Sequence, residues 1–314
     1  MVRFLLSRIG QTLAVLFTVS VIIFALMRMI PGDPVLMRLG DDFTQEAYDR
    51  LRADLGFDRS IVTQYFIWIR GVLSGDLGVS YINQERVARL VLEAFIPTLT
   101  LVVASLIVGI AIAVPSGIIA AMRKDSPWDY GSMGFAIFAY SMPSFWKGII
   151  LIWIFSVHLG WFPAMGYVPP WVDLSQGLWR LVLPAVTLGT FFSGLVARII
   201  RSSLLEVLDQ DYVKAARARG VRRAALVYKH ALANALIPVV TVIGLQFGTL
   251  LGGAVLTETV FAIPGIGRLS VNAILNRDYS VVQGAILLGV LAVVVVNLLV
   301  DLTYAFLNPR IRVA

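Results

Sequence analysis

The residues richest in chemistry lie between positions 201 and 238, RSSLLEVLDQDYVKAARARGVRRAALVYKHALANALIP. Ser203 and Glu206 have capping-box spacing, in which a hydroxyl and a carboxyl each satisfy an open backbone N–H, so a helix is expected to begin there. Leu204, Leu208 and Tyr212 follow at four-residue steps, and Ala215 extends the stripe. Gly220 can end that helix in the left-handed conformation that other residues resist. A second helix is expected from about Arg222 into the next apolar segment. The product is a helix–turn–helix with a small-residue bend. Ala215 and Ala216 leave room for a partner surface. Arg217, Arg219, Arg222 and Arg223 surround the bend and can pair with acidic groups on that partner. An ordinary basic loop lying on anionic lipid has the same composition, so both readings stay open at this point.

The elements that must position this segment follow from composition. Of 314 residues, 58% are hydrophobic and 14% charged. A soluble domain carries about 25% charged residues, so there is too little charge here to cover a water-soluble globule. A disordered chain is excluded by the apolar content. Six apolar segments stand out, at about 9–29, 97–121, 132–157, 181–200, 235–257 and 281–306, each near the roughly 20 residues that a spanning helix needs. The first has a basic start like a signal peptide, but its core is too long and no small-residue cleavage site follows, so it reads as a retained span.

Basic residues set the orientation. Arg3 and Arg8 precede span one, and Arg123 and Lys124 follow span two. Lys214, Arg217 and their neighbours follow span four, and Arg310 and Arg312 follow span six. With six spans these segments share one side, which places both termini in the cytoplasm. The formal net charge of +7 is then cytoplasmic anchoring. Nucleic-acid binding explains it less well, because no basic face is interleaved with stacking aromatics.

The opposite side holds the loop 31–96, with 10 acidic and 7 basic residues. Thr44 can cap a short helix ending near Gly56, with Glu46 in its first turn. Ile61, Tyr65, Ile69 and Val72 recur at helical spacing, and Tyr65 and Trp68 suit a membrane–water interface. A third amphipathic piece, 85–95, leads to Pro97 in the first turn of span two. Gly244, Gly248 and Gly252 share one face of span five, and Gly109, Ala113 and Gly117 one face of span two. Such faces serve packing within one chain or an interface between subunits.

Several chemistries are excluded. There is no cysteine, and His158 and His230 are too few for a multi-histidine metal centre. No H-E-x-x-H, G-x-S-x-G or pair of membrane carboxylates marks an intramembrane enzyme. An ion-coupled carrier would need inverted repeats and mid-membrane carboxylates, and neither is visible. No G-x-x-x-x-G-K-[ST] is present, so the chain holds no ATP phosphates in a P-loop.

Lys214-Ala215-Ala216, three residues and Gly220 resemble the coupling loop of binding-protein-dependent ABC importer permeases. The family's Glu is Lys214 here, and its later proline, due near Ala233, falls at Pro238. Both departures resemble the dipeptide/oligopeptide/nickel branch. So do Ile30-Pro31-Gly32-Asp33-Pro34, Ser74-Gly75-Asp76-Leu77-Gly78, Tyr140-Ser141-Met142-Pro143, Leu183-Pro184-Ala185, Leu256-Thr257-Glu258-Thr259-Val260-Phe261, Pro264-Gly265-Ile266-Gly267-Arg268, Arg277-Asp278-Tyr279 and Asn308-Pro309-Arg310. The resemblance spans essentially the whole chain.

It implies an all-α membrane protein of the type I importer fold. A first span (1–30) precedes a periplasmic loop with short helices (31–96) and a core (97–314) that contains the coupling loop 201–234. Asp211, Tyr212, Lys214, Ala215, Ala216, Arg217, Arg219 and Gly220 would contact an ATPase, and ATP and Mg would be bound by that partner. The other implied partners are a second, homologous permease subunit, a second ATPase and a periplasmic binding protein, all at a bacterial inner membrane. The expected cargo is a dipeptide or short peptide, with nickel chelates, glutathione and haem as the branch's alternatives. Charged residues within spans are costly and usually functional or paired. Arg198 and Asp301 lie near cytoplasmic ends, where snorkelling or a salt bridge accounts for them. Lys147 and Glu258 are the substrate-path candidates, since a peptide zwitterion offers each an opposite charge; pairing with neighbouring helices is the other reading. Asp33, Asp76 and Asp278 read as turn or docking residues.

Overall fold

The computed structural model describes residues 2–29, 34–39, 43–54 and 56–307. Expectations placed on 30–33 and 308–312, and on the side chains of Arg3, Arg223 and Asp301, lie outside what it describes. In chain order the helices are α1 (Val2–Met29), α2 (Pro34–Leu39), α3 (Gln45–Asp54), α4 (Ile61–Leu73), α5 (Val87–Met122), α6 (Pro127–Ser141) and α7 (Ser144–Leu151). A π-helical stretch, Ile152–His158, extends α7. Then come α8 (Leu174–Leu208), α9 (Asp211–Ala218), α10 (Arg223–Ala225), a second π stretch (Leu226–Ala231), α11 (Leu232–Ala235), α12 (Ile237–Phe261), α13 (Ile266–Leu275) and α14 (Tyr279–Leu307). Among the described residues the only β feature is an isolated bridge between Val79 and Arg86. Among the described residues five helices are long and apolar enough to cross a membrane, and six segments cross if the bent pair of α6 and extended α7 counts as one broken span.

Three boundaries differ from those expected. Span three is not one helix: α6 and α7 meet at a 104° bend. Met142 and Pro143 are both extended there, because a residue before proline is driven out of the helical region and proline offers no N–H to continue the ladder. Span two begins at Val87, so Pro97 lies inside α5 rather than in its first turn. A mid-helix proline costs about 3 kcal/mol. Val87, Val91 and Ala94 are all buried by carrying the helix through, and that burial offsets the cost. Third, no helix begins at Ser203. Val196, Ile200 and Leu204 are buried at four-residue steps, so the apolar stripe of α8 runs straight past the Ser203–Glu206 pair.

By contacts the chain forms two compact units, Met1–Ile96 with Pro264–Val294, and Pro97–Ile263 with Val295–Ala314. The first is built on Ile23, Met27, Val87, Val91, Ala273, Val282 and Ala285. Thr44 caps α3 by accepting the Ala47 N–H. Tyr65 and Trp68 of α4 turn toward α1: Tyr65 hydrogen-bonds Ser20 at 2.9 Å, and both rings pack on Phe24. The other face of α4, with Ile61, Val62, Phe66 and Leu73, is exposed. Asp76 is a turn residue whose carboxylate accepts the Gly78 N–H. Asp278 is buried, accepts from the Ser80 hydroxyl and the Tyr81 N–H, and faces the start of α14 through the Val281 N–H.

The second unit is organised around α8, whose Leu188, Phe192, Val196 and Ile200 form the centre of its core. Close approach to α5 is made by glycines on both sides. A Cβ on Gly189 would stand 2.6 Å from the Ser105 carbonyl oxygen and 3.1 Å from the Gly109 nitrogen, and one on Gly117 would stand 2.8 Å from the Ala197 carbonyl oxygen. The Gly109–Ala113–Gly117 face is therefore spent on packing within the chain. On α12 the glycines divide: Gly244 is closed by Val300, whereas a Cβ on Gly252 would meet nothing within 4 Å. Gly189→Leu is expected to abolish recovery of folded protein from membranes, because the obstacles are backbone atoms. Gly134→Leu, with nothing within 4 Å, should leave yield and unfolding temperature near those of the unsubstituted chain. Equal yields of the two variants would contradict this packing.

Candidate functional site

The segment after α8 owes its shape to two breaks. Helix α8 ends at Leu208, and α9 starts at Asp211 after two intervening residues, the second of which, Gln210, makes no side-chain capping bond. Asp211 lies in the first turn of α9 and Arg217 in its last, each charge favourable to the helix dipole. Lys214 reaches back to Asp209 at 2.9 Å and bridges the break. Its ammonium holds the Asp209 carboxyl below the usual carboxylate range. The link is thus complete above that range and is lost only as pH falls through the lowered value.

Gly220 ends α9 with φ of +81°. The Gly220 N–H donates to the Arg217 carbonyl and the Val221 N–H to the Ala216 carbonyl, the two bonds of a Schellman termination. A Cβ on Gly220 would meet nothing within 4 Å, so glycine is required here for its backbone and not for space.

Helix α9 is held by a small core of its own. Val213, Ala216 and Leu226 are buried together, with Val207, Leu208 and Val221 around them. Every other residue from Asp211 to Gly220 is exposed. The two alanines expected to leave room for a partner therefore part ways: Ala215 faces outward, and Ala216 packs inward. Tyr212 is exposed and accepts a 2.9 Å hydrogen bond from the Asn234 amide, which ties α9 to α11. The outward surface is Asp211, Tyr212, Lys214, Ala215, Arg217, Ala218, Arg219 and Gly220, small at its middle and cationic toward its end. The path into the next span is not one helix. It passes through α10, the π stretch and α11 before α12 opens with Pro238 in its first turn.

The two substrate-path candidates are both buried in the second unit. Lys147 donates to the Ala139 carbonyl and the Thr190 hydroxyl, each at 2.9 Å, and no carboxylate among the described residues pairs with it. Glu258 accepts from the Thr98 hydroxyl at 2.5 Å. The two do not pair with each other, although their helices meet: a Cβ on Gly148 would stand 3.1 Å from the Phe261 ring and 3.4 Å from Val260. Arg198 is exposed, with its guanidinium 5.6 Å from the centre of the Tyr140 ring.

One charge pair, with Asp129 buried and Arg201 partly exposed, joins residues that no sequence motif connects. Arg201 grips Asp129 through two 2.6 Å bonds, Nε to Oδ1 and Nη2 to Oδ2. Local sequence marks only the Asp129 half, because Ser126-Pro127-x-Asp129 is a cap and helix-start pattern: Ser126 caps α6 by accepting the Asp129 N–H.

Comparison with known proteins agrees with this architecture. The family described as binding-protein-dependent transport system inner membrane component matches residues 113–313, and the N-terminal family that accompanies it matches residues 1–102. The chain is 41% identical to the dipeptide transport system permease protein DppB of Escherichia coli, over 99% of both chains. It is 42% identical to the di/tripeptide transport system permease protein DppB of Pseudomonas aeruginosa, again over 99% of both. Its fold is similar to a chain of the MetNI methionine ABC transporter in inward-facing conformations (TM-score 0.59, 19% identity, 70% of this chain and 96% of that one). It is also similar to a chain of an amino acid ABC transporter with histidines (TM-score 0.53, 16% identity, 69% and 93%). The chain therefore belongs to the inner membrane components of binding-protein-dependent transport systems: it is a multi-pass permease subunit with the ABC importer fold, not an enzyme.

Proposed function

We propose that the chain forms the translocation path for dipeptides or short peptides in an ATP-driven importer. Identity of 41–42% over whole lengths to permeases named for dipeptide and di/tripeptide transport supports that cargo above nickel chelates, glutathione or haem. The observation that carries the coupling part of the reading is α9. It is anchored by two inward residues and presents the rest of its surface outward, stopped sharply by Gly220. Such an element can enter a groove on an ATP-binding subunit and move as one body. Two such subunits would bind ATP and Mg and hydrolyse ATP, since this chain has no P-loop. A second, homologous permease chain would complete the path, with the open side of α12 at Gly252 as its place of contact. Both termini and the coupling loop would be cytoplasmic. The loop 31–96 would face a periplasmic binding protein.

Closure of the ATP-binding subunits would displace α9, and rocking of the attached helices would alternate access to the path. Lys147 and Glu258 would meet the carboxylate and ammonium of the peptide there. The test is reconstitution of the chain with its permease partner, the ATP-binding subunits and the binding protein in proteoliposomes. Dipeptide should accumulate only when ATP and binding protein are both supplied. Accumulation without ATP would sink the reading.

A further inference from the structure

Helices α6 and α8 touch along a single line within the second unit. At the end nearest α9, Asp129 is buried and gives both carboxylate oxygens to Arg201, while also accepting the Asp125 N–H at 3.0 Å. Arg201 precedes the last residue of α8 by about 10 Å at 1.5 Å per residue. Further along, Gly194 lets the Ala136 carbonyl approach the α8 backbone. Tyr140 then stacks on Phe191 at 4.9 Å and 16°. At the far end Lys147 crosses the bend and returns to Ala139 of α6 and Thr190 of α8. Helix α6 is thus tied to α8 by charged groups at both ends, with the α6–α7 bend beside the second tie.

We infer that Asp129 and Arg201 are positioning residues that clamp α6 to α8, so that displacement of α9 reaches the Met142–Pro143 bend and Lys147; the inference rests on the importer reading above. Stability alone does not call for such a pair, because apolar residues of similar volume often hold a buried contact as well or better. A bidentate pair adds fixed orientation: it sets rotation as well as distance between two helices. An input at α9 would be lost as sliding of α6 on α8 if that orientation were free.

The test uses the reconstituted complex with binding protein and dipeptide. Asp129→Asn keeps an acceptor for the Asp125 N–H and removes the charge; Arg201→Lys keeps the charge and removes the fork. Each is expected to cut uptake by about tenfold or more, the size expected for a hydrogen bond to a charged group. Peptide-stimulated ATP hydrolysis should fall far less, so more ATP is consumed per peptide moved. Asp129→Glu, which keeps the charge, should restore part of the uptake. Uptake and hydrolysis falling in parallel, or uptake unchanged, would overturn the inference. So would failure of all three variants to assemble, since the pair would then only hold the fold. Absence of ATP-driven uptake in the unsubstituted complex would instead remove the importer reading, an outcome told apart because it needs no substitution.

Discussion

Gly220→Val is expected to reduce dipeptide uptake by about tenfold or more while ATP hydrolysis continues, because a β-branched residue held left-handed costs on the order of 1–3 kcal/mol and the strain falls on the end of α9. The space around Gly220 is open, so the effect arises from its φ of +81° alone. Valine would relax toward negative φ and release the Val221–Ala216 bond that closes the helix. The small core of Val213, Ala216 and Leu226 would then no longer fix the angle at which α9 meets its partner. Asparagine tolerates the left-handed region, so Gly220→Asn should retain most uptake. The paired measurement is ATP hydrolysed per dipeptide accumulated. Normal uptake by Gly220→Val would contradict the coupling role of α9.

Glu258→Gln is expected to leave assembly and unfolding temperature nearly unchanged and to lower dipeptide uptake by about tenfold, the value of one charge-assisted contact with a substrate ammonium. The amide can still accept from Thr98, so the existing bond at 2.5 Å has a replacement. A rise in the peptide concentration needed for half-maximal stimulation, with maximal hydrolysis unchanged, would place the loss in substrate contact. Lys147→Met tests the other end of the zwitterion. It also removes two hydrogen bonds to Ala139 and Thr190, so its stability must be measured alongside. Full uptake by Glu258→Gln would assign Glu258 to helix packing.

What could be read from residues alone was local and periodic. The α4 stripe, the Thr44 cap, the end of α9 at Gly220 and the close glycine face of α5 each follow from a side chain's shape or a backbone preference. Signals failed where two of them competed. The Ser203–Glu206 spacing is a sound start signal, but Val196, Ile200 and Leu204 bury more surface by continuing α8. Pro97 is a sound break signal, but Val87, Val91 and Ala94 gain burial by helix on its near side. Pro143 was visible, yet proline kinks some helices and breaks others, and the 104° turn comes from Met142 and Pro143 together leaving the helical region.

The Asp129–Arg201 pair joins residues 72 apart, and no local pattern predicts such a partner. The same holds for Ser80 and Asp278, 198 apart. For the site, the outward residues of α9 were legible as a motif, but the division between Ala215 and Ala216 was not. That division depends on where the small core lies, and Leu226 supplies it from beyond the bend.

The central claim is that α9 docks on an ATP-binding subunit. The chain has no cysteine, so a single one placed at Ala215 is an unambiguous probe. In the assembled complex, Ala215→Cys should cross-link to the ATP-binding subunit with a short bifunctional reagent, and the yield should change when ATP is bound. A cysteine at the inward Ala216 should cross-link little. No cross-link from Ala215→Cys in a complex that still imports dipeptide would contradict the account.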